Sequence, residues 1–137
     1  MKHMTILCLA TLCLAAAPKG MPLTIEVSGI TPGRGQVMVG VCRKNEFLSA
    51  KCTFQTAVPA GPGRTVVVVA SGLSRGRYAV QVVYDLNRNY RMDTTVYGAP
   101  NEPVGFSRNP AAVDGPPRFE DAAFDLVTPT QMKISVK

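Results

Sequence analysis

Apolar and polar residues alternate along most of this chain with the two-residue period of half-buried β-strands. In LTIEVSGI, Leu23, Ile25 and Val27 fall on one side, with Thr24, Glu26 and Ser28 on the other. TPGRG supplies turn residues, and GQVMVGVC then brings Val37, Val39 and Val41 into phase as a second strand. Phe54–Val58 predicts a third strand, closed by PAGPGR. TVVVVA is apolar almost throughout, the pattern of a strand buried on both faces. After the turn SGLSRG, RYAVQVVYD places Tyr78, Val80, Val82 and Tyr84 on one face. FEDAAFDLV and MKISVK predict the final strands, and only KNEFLSAK, between Cys42 and Cys52, has the makings of a short helix. Short strands separated by Gly/Pro turns predict an all-β fold, a single β-sandwich of about seven strands.

The rhythm breaks between Thr94 and Arg118, where Pro100, Pro103, Pro110, Pro116 and Pro117 punctuate a stretch without a strand pattern. A connection of this length inside a compact domain is usually functional or disordered. Tyr97, Phe106 and Phe119 predict an ordered loop, because aromatic side chains can anchor it on the sandwich.

The beginning of the chain has a different character. Lys2 precedes an apolar run from Thr5 to Leu14, and the small residues Ala15–Ala17 follow. This predicts a signal peptide over residues 1–17, cut somewhere in 16–20, and a single domain over residues 18–137. The run is too short to span a bilayer comfortably, so no stable membrane insertion is expected. The expected location is periplasmic or secreted. Cys8 and Cys13 leave with the leader, and the remaining pair, Cys42 and Cys52, is expected to form a disulfide. A redox pair would favour Cys-x-x-Cys at a helix start, which the chain lacks.

Charge narrows the partners. The formal net charge is +6, and loss of Lys2 with the leader lowers it to +5. Arg34, Arg64, Arg75, Arg77, Arg88, Arg91, Arg108 and Arg118 are scattered through turns rather than gathered on one helix. That distribution argues against nucleic acid and predicts a solvated surface, weakly drawn at most to anionic envelope surfaces. A monomer is expected.

Candidate chemistry concentrates in YDLNRNYRMD, residues 84–93. Calcium takes six to eight oxygens, and loops that supply them use alternate positions so that the side chains converge. With Asp85 as the first position, Asn87, Asn89, the Arg91 carbonyl and Asp93 fall at the third, fifth, seventh and ninth. Glu102 could add a carboxylate from the long loop. Against a bound Ca2+, Tyr90 stands where such loops usually place Gly, and Val96 replaces the closing Glu. The competing reading is that these Asp and Asn side chains pin the turn by bonding nearby backbone groups.

The stretch GLSRGRYAVQVVYDLNRNYRMDTTVYGAPNEPVGFSRN also resembles the signature of the domain of unknown function 2141 family, a group of bacterial exported proteins. The match runs through Gly72, Leu73, Gly76, Tyr78 and Ala79, then Asp85, Asn87, Asn89 and Asp93, and on through Gly98, Pro100, Glu102, Gly105, Phe106 and Ser107. FEDAAFDL fits as well, and Tyr90, usually Gly in the family, is the main departure. The resemblance implies a transthyretin-like or prealbumin-like (immunoglobulin-like) sandwich and no established activity.

Enzymatic function is not expected. The one histidine is His3, inside the predicted leader, and histidine is the commonest general base and partner of nucleophiles. A carboxylate-based glycoside hydrolase using Asp85, Asp93 or Glu102 is the remaining enzymatic alternative, weakened by the absence of Trp for sugar stacking. The expected role is a binding or accessory module. Tyr97, Phe106 and Ser107 beside the Asp/Asn loop would form its surface for an envelope or extracellular protein or glycan. A structural envelope protein with no small ligand is the alternative.

Overall fold

The structure, a computed structural model, describes residues 20–137. The predicted leader, with His3, Cys8 and Cys13, lies outside the described residues. Eight strands and one helical turn follow in order: β1 (Met21–Ser28), β2 (Gln36–Cys42), β3 (Phe54–Pro59), β4 (Thr65–Leu73), β5 (Gly76–Asp85), β6 (Val104–Phe106), α1 (Phe119–Ala122), β7 (Phe124–Leu126) and β8 (Thr130–Ser135). β1 is the middle strand of a three-stranded sheet, antiparallel to β4 and parallel to β8. The second sheet runs β3-β2-β5-β6, and β7 pairs with the start of β5. Together they make a β-sandwich.

Alternation places the core. Leu23, Ile25 and Val27 from β1, Val66, Val68 and Ala70 from β4, and Ile134 from β8 form one cluster with residues of the other sheet. The facing set is Val37, Val39 and Val41 from β2 and Tyr78, Val80, Val82 and Tyr84 from β5. Each fully buried Val or Leu contributes roughly 1.5–3 kcal/mol relative to leaving it in water. Along one side the sheets are joined, because Val104 and Lys137 exchange two backbone hydrogen bonds of 3.1 Å. Close approach there needs Gly105, since a Cβ at that position would lie 2.7 Å from the Ser135 carbonyl oxygen. On the other side the sandwich ends in two edge strands, β3 and β4.

Four expectations need correction. TVVVVA is not buried on both faces: β4 is an edge strand, with Val66 and Val68 inside but Val67 and Val69 58% and 55% exposed. Among the described residues no layer covers its outer side, so an apolar run alone did not report two-sided burial. KNEFLSAK forms successive turns instead of a helix, with the Phe47 N–H donating to the Arg43 carbonyl and the Ser49 N–H to the Glu46 carbonyl. The stretch from Thr94 to Arg118 contains β6, only three residues long, held on β5 through Val82 and Val83 opposite Gly105 and Val104. FEDAAFDLV divides between α1 and the three-residue β7.

The outer face of the second sheet carries its own small core. Ala79, Phe119, Ala122 and Ala123 pack there with Phe47 and Phe106. The Phe47 ring meets Phe106 and Phe119 edge-on, with centroids 5.9 Å and 5.8 Å apart, a geometry worth about 0.5–1.5 kcal/mol per pair. Cys42 and Cys52 are bonded, with their Cα atoms 4.5 Å apart. Their bridge closes the segment that delivers Phe47 to this cluster.

Strand direction decides what gathers at each end. The ends of β1, β3 and β5 and the starts of β2, β4 and β6 lie together, as Ser28 opposite Thr65 and Gln36 opposite both Asp85 and Pro59 require. One end of the sandwich therefore carries residues 29–35, 60–64 and 86–103.

Candidate functional site

The β5–β6 connection begins where β5 runs out of partners, and Asp85 is the last residue of the strand. Its carboxylate is fully buried. One oxygen accepts from Gln36 Nε2 at 2.7 Å and the Tyr90 N–H at 2.9 Å, and the other accepts from the Asn89 N–H at 3.2 Å. Burial acts to raise the Asp85 pKa, but the Gln36 side chain and the N–H groups of Tyr90, Asn89 and Arg88 outweigh it and hold the carboxyl below its ordinary value. Asp85 is thus an ionised hub around which the backbone turns.

Two Asx-type bonds continue the curl. Asn87 Oδ1 accepts from the Asn89 N–H at 3.1 Å, and Asn89 Oδ1 accepts from the Arg91 N–H at 3.0 Å. The side-chain amides of both reach across to Asp93: Asn87 Nδ2 donates at 2.6 Å and Asn89 Nδ2 at 2.8 Å and 3.0 Å. Arg88 and Tyr90 take left-handed backbone conformations, with φ of 58° and 61°. A side chain at such a φ costs roughly 1–2 kcal/mol, so the hydrogen bonds to Asp85 hold the loop in a shape the backbone alone disfavours. Tyr90 thereby adopts the conformation that glycine takes more readily.

Glu102 clasps the loop from the far side. It is 7% exposed, with Oε1 accepting from the Leu86 N–H at 2.8 Å and Oε2 from the Asp93 N–H at 3.2 Å. The turn formed by residues 31–35 is bound in as well. The Tyr84 hydroxyl donates to the Arg34 carbonyl at 2.6 Å, and Arg88 Nε donates to the Gly35 carbonyl at 3.3 Å. Gly35, with φ of 71°, lies so close that a Cβ would come within 2.7 Å of the Asp85 carbonyl oxygen.

Asp85, Asn87, Asn89, Asp93 and Glu102 are therefore brought together, and the Arg91 N–H joins them. Gln36 is the participant that the sequence reading missed; a polar residue opening an otherwise valine-rich strand was the available signal. Among the described residues, no group of three or more His, Cys, Asp or Glu side chains is placed to hold a metal ion. The amide nitrogens of Asn87 and Asn89, rather than their oxygens, face Asp93. Both oxygens of Asp85 and of Glu102 accept protein donors.

The expected surface trio separates. Tyr97 is 94% exposed at the tip of a turn in which the Gly98 N–H donates to the Thr95 carbonyl at 2.9 Å. Phe106 is half-buried in the outer aromatic cluster. Ser107 is fully buried, its hydroxyl accepting from the Val80 N–H at 2.9 Å and donating to the Ala122 carbonyl at 2.5 Å. Ser107 fastens α1 to β5 and does not join the loop surface. Other residues take its place beside Tyr97: Tyr90, Met92 and Val96 are 69%, 45% and 94% exposed.

A two-sheet antiparallel-dominated sandwich with a hydrogen-bonded loop clamp at one end defines a small β-sandwich module. The chain belongs to the family described as Uncharacterized protein conserved in bacteria (DUF2141), whose profile matches residues 25–135. No curated protein and no solved structure matches the chain.

Proposed function

We propose that this protein is an exported, non-enzymatic binding module whose recognition surface is the clamped β5–β6 loop. The supporting observation is the clustering of exposed large apolar side chains. Tyr90, Met92, Val96 and Tyr97 stand in solvent within one short segment, and the segment is fixed by Asp85, Asp93 and Glu102. Several large apolar side chains exposed together on one ordered loop are a mark of an interaction site. Rigidity matters because a pre-ordered loop loses less freedom on binding. The Cys42–Cys52 bridge fits an oxidising compartment, and among the described residues no helix is long and apolar enough to cross a membrane.

A photo-crosslinking residue placed at Tyr97, and a second at Arg118 near the opposite end, tests this on envelope fractions. A saturable product is expected from position 97 alone, lost when Tyr90 and Met92 are changed to Ser. Equal products from both positions would overturn the reading.

Calcium at the same loop is a second reading, favoured by one observation: Asp85, Asn87 and Asn89 accept successive backbone N–H groups, the curl that brings alternate side chains of a cation loop together. The fit needs the Asn87 and Asn89 amides to turn their oxygens inward, with Asp85, Asp93 and Glu102 supplying charge. Bound there, the ion would stiffen the loop and supply no reaction chemistry. Affinity in the weak extracellular range of about 0.1–1 mM is expected. Calorimetry and melting with calcium or chelator decide it, and no heat and no shift at several millimolar would exclude the ion.

A further inference from the structure

The end of the sandwich that carries the exposed loop is also one-sided in its exposed charge. Arg34 in the β1–β2 turn, Arg64 in the β3–β4 turn, and Arg88 and Arg91 in the β5–β6 loop are all exposed, and Lys137 lies at the same end. None of them forms an ion pair among the described residues; the salt bridges join Lys44 to Glu120, Arg77 to Asp125 and Arg118 to Asp121, toward the other end. The acids at the loop end are drawn inward. Asp85 and Glu102 are buried, and Asp93 is held by the Asn87 and Asn89 amides. The opposite end mixes exposed charges of both signs.

Val96 and Tyr97, each 94% exposed, stand at the same end of the sandwich as these basic residues. The pair combines one aliphatic and one phenolic side chain, both almost wholly in solvent. It matches a fluid interface, where tyrosine places its ring among acyl carbons and its hydroxyl among head groups. Arginines around such a tip match lipid phosphates.

We infer that the loop end docks peripherally on an anionic phospholipid surface, with Val96 and Tyr97 entering the head-group boundary and Arg34, Arg64, Arg88 and Arg91 bound to phosphate charge. This inference rests on the reading of the β5–β6 loop as the recognition surface and names what it recognises. Because the contact is superficial, it requires no spanning segment. Attraction of this kind is screened within about 8 Å at physiological salt, so adsorption weakens as salt rises. Each basic residue near an anionic membrane strengthens adsorption about fivefold.

The test is vesicle flotation of the protein with its disulfide intact, using phosphatidylcholine vesicles with and without phosphatidylglycerol. Flotation with the anionic vesicles alone, lost at high salt, is expected. Arg88→Gln with Arg91→Gln should weaken it by about tenfold or more. Val96→Ser with Tyr97→Ser should weaken it several-fold at every salt concentration where the wild type floats, and Lys51→Gln at the far end should leave it unchanged. Equal binding to both vesicle types, or wild-type binding by either loop variant, would overturn the inference. The crosslinking experiment separates the two levels. A loop-specific product without vesicle binding removes the lipid and keeps the recognition surface, whereas failure of both removes both.

Discussion

Replacing Asp85 by Asn keeps the shape of the side chain while removing its charge and exchanging one acceptor oxygen for a donor. Gln36 can turn its own amide to meet the change, but a backbone N–H cannot. At least one of the bonds from Tyr90 and Asn89 must therefore weaken or break, leaving a buried donor unsatisfied. Hydrogen bonds to a charged group contribute about 1.5–3 kcal/mol each, and an unsatisfied buried group costs about 1–3 kcal/mol. Asp85→Asn is accordingly expected to lower stability by about 2–4 kcal/mol near neutral pH.

The effect should carry a pH signature. Because the folded-state pKa of Asp85 is held below its unfolded value, its contribution is fully present above the unfolded value of about 3.9. It is lost as pH falls through the lower folded value. The gap between wild type and Asp85→Asn should therefore be widest near neutrality and close in acid. Urea unfolding followed by circular dichroism across that range measures the gap, and amide exchange at Asn89 and Tyr90 localises it. A variant within about 0.5 kcal/mol of wild type at neutral pH, the scatter of an ordinary surface change, would refute the hub role. So would a gap independent of pH.

Other substitutions probe the scaffold around this hub. Changing both Cys42 and Cys52 to Ser should lower stability by roughly 2–3 kcal/mol, seen as an equal shift on reducing the wild-type protein. Gly105→Ala forces a methyl against the Ser135 carbonyl and Ile134, and overpacking of this kind costs about 1–3 kcal/mol; chemical denaturation should show it. By contrast, Val96→Ser with Tyr97→Ser removes nothing from the core, so unfolding should shift by no more than about 0.5 kcal/mol.

The core strands were legible because their partners lie on both sides. Leu23, Ile25 and Val27, and likewise Tyr78 through Tyr84 at alternate positions, declare an inner face by period alone. β4 was misread because the composition of TVVVVA says nothing of its place at a sheet edge; strand order, a long-range property, decides whether an outer face is covered. Asp85 and Asn89 were legible as a group since their bonds are local. Ser107 was not, because its burial depends on Ala122, which only the fold brings near. The role of Gln36 was hidden for the same reason, since it reaches the loop from β2, whereas Glu102 was legible as an added carboxylate though not as a clasp on the Leu86 and Asp93 N–H groups.

The parallel pairing of β1 with β8 has a consequence for how the molecule comes into being. Leu23 through Ser28 align with Thr130 through Ser135, so the first of the described strands waits for a segment far later in the chain to be synthesised. Contacts this distant in sequence form late and slowly, since every residue between the two strands must be looped to bring them together. Until translation reaches β8, one flank of β1 stays bare, and a nascent product stopped before residue 130 would keep a sticky ribbon that a chaperone must shield.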